Sequence, residues 1–272
     1  PGFGKTYFQI HFAVQAAKAG HRVVYIALDN TKGEMRKRIY SCSAGIPFSD
    51  LKTIKKNEYR DKLKALNIGS DKFILVMGHR KRTTMAEIQA ELDRIVETIG
   101  PIDMICLDYI DVVKSSNSKR EQYQDLDEAY AEHAGWGTIY NAVMVTASQG
   151  NRGGFGKPHL DQNDMAGAFA KNNHAAYVIS VNQSGSDKAV ERCWLAFLKV
   201  REEQARYRKA FIMKRSTGEV LDDPSAIVWL DAEVAQKEYK KNAARSTAEK
   251  LRKAKLVRPK RDSEEEEGQI AA

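Results

Sequence analysis

A chain of 272 residues with 42% hydrophobic side chains can build one large α/β core with a tail, or two small domains. Its formal charge of +8 suits a polyanionic partner without identifying one. Three widely spaced cysteines and scattered histidines argue against a disulfide framework or a metal site, and no run approaches membrane-spanning length.

The chain opens on Pro1-Gly2-Phe3-Gly4-Lys5-Thr6, followed by a largely apolar run from Tyr7 to Ala19 that reads as a helix. Gly-Lys-Thr at the mouth of a helix is the back half of a phosphate-binding loop. The full pattern needs a glycine two places before Pro1, with a strand before that. The chain is therefore expected to be a fragment cut inside its own active site, lacking the first strand of its sheet. In this reading the backbone of Gly2, Phe3 and Gly4 rings the phosphates of a nucleotide. Lys5 reaches the β and γ oxygens, and Thr6 offers its hydroxyl to Mg²⁺. A Pro-Gly turn that happens to precede a helix is the plainer alternative.

Arg22 to Leu28 is β-branched and too apolar to alternate, which predicts a buried parallel strand ending on Asp29. An acid at a strand's carboxyl end lies on the ligand side of a doubly wound sheet. Asp29 reads equally as the carboxylate that orients the attacking water and as the N-cap of a helix beginning near Lys32. From Gly33 to Ile68 the chain reads as charged helix, broken near Gly45-Ile46-Pro47. The strand Phe73–Met77 runs into the basic loop Gly78–Arg82, whose charges read best as solvated. A capping box, Thr84 to Glu87, then opens a helix reaching Ile99.

Met104 to Asp108 repeats the pattern of an apolar strand ending in an acid, and its position makes Asp108 the candidate for the Mg²⁺ shell. Lys114 to Arg120 reads as a loop. Glu121 to Tyr140 reads as a long helix weakened by Gly135 and Gly137. The strand Ala142–Ala147 delivers Ser148-Gln149 to the same sheet edge, where Gln149 suits a γ-phosphate sensor and ordinary turn chemistry is the alternative. Arg152 and Lys157, in the glycine-rich loop that follows, suit contact with a nucleic-acid backbone. A short helix over Asp164–Ala168 and a strand over Ala176–Gln183 come next. Hairpin-like strands then lead from Cys193 to Leu230, and the Lys/Arg/Glu-rich stretch beyond cannot bury a core.

Five separated motifs occur in a family order: the opening loop, Leu107-Asp108-Tyr109, Thr146 to Arg152, Asp164 to Gln183, and Lys199-Val200-Arg201. In that order the chain resembles the C-terminal ATPase domain of DnaB-type replicative helicases, phage-like or bacterial, over about residues 1–230. The resemblance implies a RecA-like P-loop NTPase core with a mostly parallel central sheet flanked by helices over residues 1–231. A charged helical extension and tail would occupy 232–272. It also implies ATP and Mg²⁺ bound between subunits of a hexameric ring, single-stranded DNA in the channel, a primase or loader as partner, and a cytoplasmic setting in a bacterium or phage-infected host. Lys199 and Arg201 would reach a neighbour's γ-phosphate, with Arg201 as the finger. One departure is Asp29, where the family places Glu; Glu34 is a candidate substitute. A RecA-like recombinase, or a nucleotide-binding scaffold with little turnover, remains an alternative.

Overall fold

The structure is a computed structural model that describes residues 4–66, 68–69, 71–113, 122–149, 173–201 and 207–229. Outside these lie Gly2, Phe3, Arg152, Lys157, the loop expected over 114–120, the short helix expected over 164–168 and the charged stretch from 232 onward. The chain divides into Pro1–Val228 and Trp229–Ala272. The first of these units carries every feature that follows.

Two sheets form the unit. The parallel one has the order β2-β1-β3-β4, built from β1 (Val23–Ala27), β2 (Phe73–Met77), β3 (Met104–Asp108) and β4 (Val143–Thr146). The central strands β1 and β3 are buried at every position, which is why their sequences run apolar without alternating. Their side chains still divide by face. Val23, Tyr25, Ala27, Met104 and Cys106 pack with α1 (Lys5–Lys18) and α2 (Lys32–Ala44), and α3 (Lys56–Ala65) adds Leu63 at the edge. Val24, Ile26, Ile105 and Leu107 pack with α4 (Met85–Thr98) and α5 (Gln122–Ile139) on the other face. The result is a three-layer α/β/α sandwich.

The expected break between the second and third helices is present, with Gly45 capping α2 in the left-handed conformation. The Thr84–Glu87 capping box forms as expected. Asp29 is not the cap of α2; Thr31 is, in a second capping box with Glu34, because the backbone turns nearer the helix. The α5 helix runs straight through Gly135 and Gly137. Trp136 between them is 1% exposed in the core, so burial outweighs the low helix propensity of glycine.

The second sheet, of order β5-β6-β7-β8, holds β5 (Tyr177–Asn182), β6 (Arg192–Val200), β7 (Tyr207–Met213) and β8 (Val220–Trp229), with α6 (Gly185–Ala189) linking β5 to β6. β5, β6 and β7 pair antiparallel. Cys193, Leu195, Met213 and Val220 of this sheet close over Phe8, so α1 is clamped between the two sheets at its N-terminal end. The three cysteines are buried and free. Burial pushes the Cys42 and Cys193 thiols up to about 12, where they behave as small apolar groups.

Candidate active site

Strand register brings the candidate residues to one edge. Ala27 of β1 lies opposite Asp108 of β3, and Leu28 N–H donates to the Asp108 carbonyl at 3.0 Å. The sheet order reverses direction between β1 and β3. Asp29 and Asp108 therefore flank the topological switch point, where doubly wound sheets bind ligands.

The helix α1 starts at this edge. Gly4 takes φ +85°, a conformation that disfavours any side chain, and a β-carbon there would lie 2.6 Å from Met213 Sδ, so the methionine would have to move. Lys5 Nζ donates to the Ser148 carbonyl at 2.6 Å, just past β4, and lies 5.9 Å from the centre of the Tyr109 ring. Thr6 Oγ1 is 3.5 Å from Asp108 Oδ1, a long contact that puts hydroxyl and carboxylate side by side.

Asp108 is 2% exposed. Burial raises its pKa, opposed by hydrogen bonds from Tyr25 and Thr6. The Tyr25 hydroxyl donates to Oδ2 at 3.1 Å from the neighbouring strand, and its ring stacks on Phe73. Gln9, 4% exposed on α1, sits beside the same carboxylate. With its amide nitrogen turned toward Asp108 it donates to Oδ1 at 3.2 Å and accepts from Ala147 N–H at 3.1 Å, which satisfies both ends. The Asp108–Tyr109 peptide bond is cis.

Asp29 is exposed and pairs with Arg80, Nη1 to Oδ1 at 3.1 Å. Arg80 belongs to the basic loop whose charges the sequence suggests are merely solvated. The loop is held from three sides. Gly78 N–H donates to Ala27 O at 3.0 Å, Lys81 N–H to Val112 O at 2.8 Å, and His79 N–H to Thr83 Oγ1 at 2.8 Å. Glu34, the other candidate, is engaged in the capping box: its Oε2 accepts from Thr31 N and Oγ1, and those bonds lower its pKa.

Gln149 donates from Nε2 to the Tyr109 hydroxyl at 3.0 Å. Lys199 and Arg201, at the end of β6, stand on the antiparallel sheet and not among the residues at this edge. Sequence reasoning gave no site role to Gln9, Tyr25 or Asp111, read Arg80 only as a loop charge, and had Tyr109 only as part of the Leu107-Asp108-Tyr109 motif. The Thr31–Glu34 box also had a legible signal, in its Thr-x-x-Glu spacing.

Among the described residues no cluster of three or more His, Cys, Asp or Glu could hold a metal ion. A hydroxyl beside one buried carboxylate nevertheless fits Mg²⁺, which takes one or two protein oxygens and fills its shell with phosphate and water. Among the described residues no helix is long and apolar enough to cross a membrane.

The family model of the DnaB-like helicase C terminal domain matches residues 1–158. The chain also superposes on a solved ATPase domain, with a TM-score of 0.69, 13% identity and 82% of each chain covered. On a DnaB-like replicative helicase described with its interactions with primase, the TM-score is 0.68 at 12% identity. That match covers 82% of this chain and 55% of the helicase, so the chain spans about half that protein's length. No curated protein matches the sequence. The two structural likenesses carry the fold, a RecA-like P-loop NTPase core. The family match runs over more than half of the residues, and the chain therefore belongs to the DnaB-like helicase C-terminal domain family, a class of ATP-dependent motors.

Proposed function

We propose that this chain is the ATP-hydrolysing motor of a ring-shaped DNA helicase, with ATP bound between subunits and single-stranded DNA gripped in the central channel. The observation that carries the reading is the convergence of Lys5, Thr6, Asp29, Asp108 and Gln149 at one sheet edge from four separated stretches of sequence. The motor core comprises residues 1–231, and 232–272 is an appended charged extension.

Each side chain then has a role that its surroundings suit. Gly2, Phe3 and Gly4 wrap the phosphates, and Lys5 exchanges the Ser148 carbonyl for the β and γ oxygens. Thr6 and Asp108 would hold Mg²⁺, which would supply charge neutralisation to the bound phosphates. The exposed position of Asp29 suits a carboxylate that orients the attacking water, and Thr31 relieves it of capping the helix. Gln149 senses the γ-phosphate. Lys199 and Arg201 act on the neighbouring subunit's nucleotide, where Arg201 stabilises transition-state charge. Arg152 and Lys157 contact DNA phosphates, and a hexamer, a primase or loader, and a cytoplasmic setting complete the picture.

The test is DNA-stimulated ATP hydrolysis and strand displacement by the protein, compared with Lys5→Ala and Arg201→Ala. Both activities should fall by at least about 100-fold in either variant. Mixing the two variants should restore part of the hydrolysis, since each supplies what the other lacks at a shared interface. Unwinding that survives Lys5→Ala sinks the proposal.

A further inference from the structure

Beside the candidate phosphate contacts lies an acid that the motor reading leaves without a role. Asp111 follows β3 in a 3-10 turn over Ile110–Val112. Its carboxylate accepts from three donors on two segments. Oδ2 takes the Ser148 hydroxyl at 3.0 Å and the Gln149 N–H at 3.3 Å. Oδ1 takes the Tyr130 hydroxyl of α5 at 2.9 Å.

The mounting is rigid. Ile110 and Val112, on either side, are 1% and 3% exposed and belong to the core under α4 and α5. Val112 O also receives the Lys81 N–H of the basic loop at 2.8 Å. A short acidic side chain on so fixed a turn has little freedom, so its oxygens act as a template for whatever donates to them.

What they template is the end of β4. The Ser148 carbonyl is the acceptor of Lys5, and Gln149 is tied to Tyr109, whose ring also lies near the Lys5 ammonium. Without Asp111, a Ser-Gln pair at the end of an edge strand would be an ordinary mobile turn. With it, the pair is held against the same short segment that carries Tyr109.

We propose that Asp111 is a positioning residue: it locks the Ser148–Gln149 turn so that the Gln149 amide and the resting acceptor of Lys5 keep fixed places relative to the γ-phosphate. The inference rests on the motor reading for its consequence in catalysis, and on geometry alone for the locked turn. Because the locked groups act on the terminal phosphate, losing the lock affects turnover more than ground-state binding.

The decisive variants are Asp111→Ala and Asp111→Asn, measured in the protein for steady-state ATP hydrolysis and for amide hydrogen exchange. Asp111→Ala should lower kcat about 10-fold or more while KM for ATP stays within about threefold. The Gln149 amide should exchange about 10-fold faster, with the amides of β3 still protected. Asp111→Asn can keep its oxygen toward Ser148 and Gln149 and turn its amide to the Tyr130 hydroxyl, so it should recover most of the loss. An unchanged kcat and an unchanged Gln149 exchange rate in Asp111→Ala overturn the inference. So does an Asp111→Asn variant as impaired as the alanine, since that points to general destabilisation. A wild-type protein without hydrolysis defeats the motor reading and the catalytic role of Asp111 together; active wild type with an indifferent Asp111→Ala defeats the inference alone.

Discussion

Arg80 Nη1 lies 3.1 Å from Asp29 Oδ1, joining the turn after β2 to the end of β1. Their side chains are 51% and 36% exposed, so the pair contributes about 0–1 kcal/mol to folding and its value lies elsewhere. It holds a short carboxylate in one direction at the switch point of the sheet. If Asp29 orients the attacking water as proposed, Arg80→Ala should leave the urea midpoint nearly unchanged while lowering kcat about 3–10-fold, because that arm loses its brace. Arg80→Lys should restore little, since an ammonium on a flexible stem does not reproduce the guanidinium geometry. A kcat equal to wild type in Arg80→Ala would make the ion pair incidental.

Tyr25 is fully buried and its hydroxyl serves Asp108. Tyr25→Phe keeps the ring stack on Phe73 and deletes one donor to a buried carboxylate, which should cost about 1–3 kcal/mol at neutral pH. The same variant should need severalfold more Mg²⁺ for half-maximal hydrolysis, because Asp108 is no longer held with Oδ1 toward Thr6. Urea titration and a Mg²⁺ titration separate the two effects. A variant that loses stability without a change in metal dependence would confine Tyr25 to packing.

His133 is 5% exposed beside Trp136, and its Nε2 has no hydrogen-bond partner among the described residues. Burial lowers its pKa from 6.5 to about 4. The unfolded chain therefore takes up a proton before the folded one does, and stability falls as the pH drops from about 6.5 toward 4. Between about pH 7 and about pH 4.5 this one group should remove about 2 kcal/mol. His133→Phe should flatten that part of the acid-stability curve, as read from urea midpoints at several pH values. An identical slope in the two proteins would assign the acid sensitivity to other groups.

Gly4→Ala meets two obstacles, the left-handed backbone at φ +85° and Met213 Sδ at 2.6 Å from the new β-carbon. The backbone alone costs about 1–2 kcal/mol. The start of α1 should shift, so nucleotide affinity should fall along with thermal stability. Met213→Ala in the same chain should recover only part of the loss, because it removes the clash and leaves the backbone strain. Complete recovery would mean that the left-handed conformation is dispensable.

Much of the candidate site was legible as local pattern. Lys5 and Thr6 stood out as candidates because the pattern of a phosphate loop is continuous in sequence. Asp108 was readable because a buried strand ending in an acid needs only local composition, and the Thr84–Glu87 box because capping spans a single turn. Asp29 was readable as a strand-end acid, but whether it capped the next helix depended on where the backbone turned, and Thr31 took that place. Arg80 is exposed, as the loop's composition suggested, and only its pairing was hidden. The charge of a basic loop is visible in sequence, whereas its partner is 51 residues away, just past the end of a neighbouring strand.

What the sequence by itself determined is the list of parts: which runs are strands, which are helices, and that the chain opens on a Gly-Lys-Thr pattern. Those properties follow from hydrophobic period and from residues within one or two turns of each other. Only the tertiary structure decided which strand ends stand side by side. Parallel pairing of β1 with β3 sets Asp29 beside Asp108, brings the Tyr25 hydroxyl to a carboxylate 83 residues on, and seats the Ser148–Gln149 turn on Asp111. Strand order and register arise from burying both faces of the sheet at once, a condition on the whole chain that no single stretch of it contains.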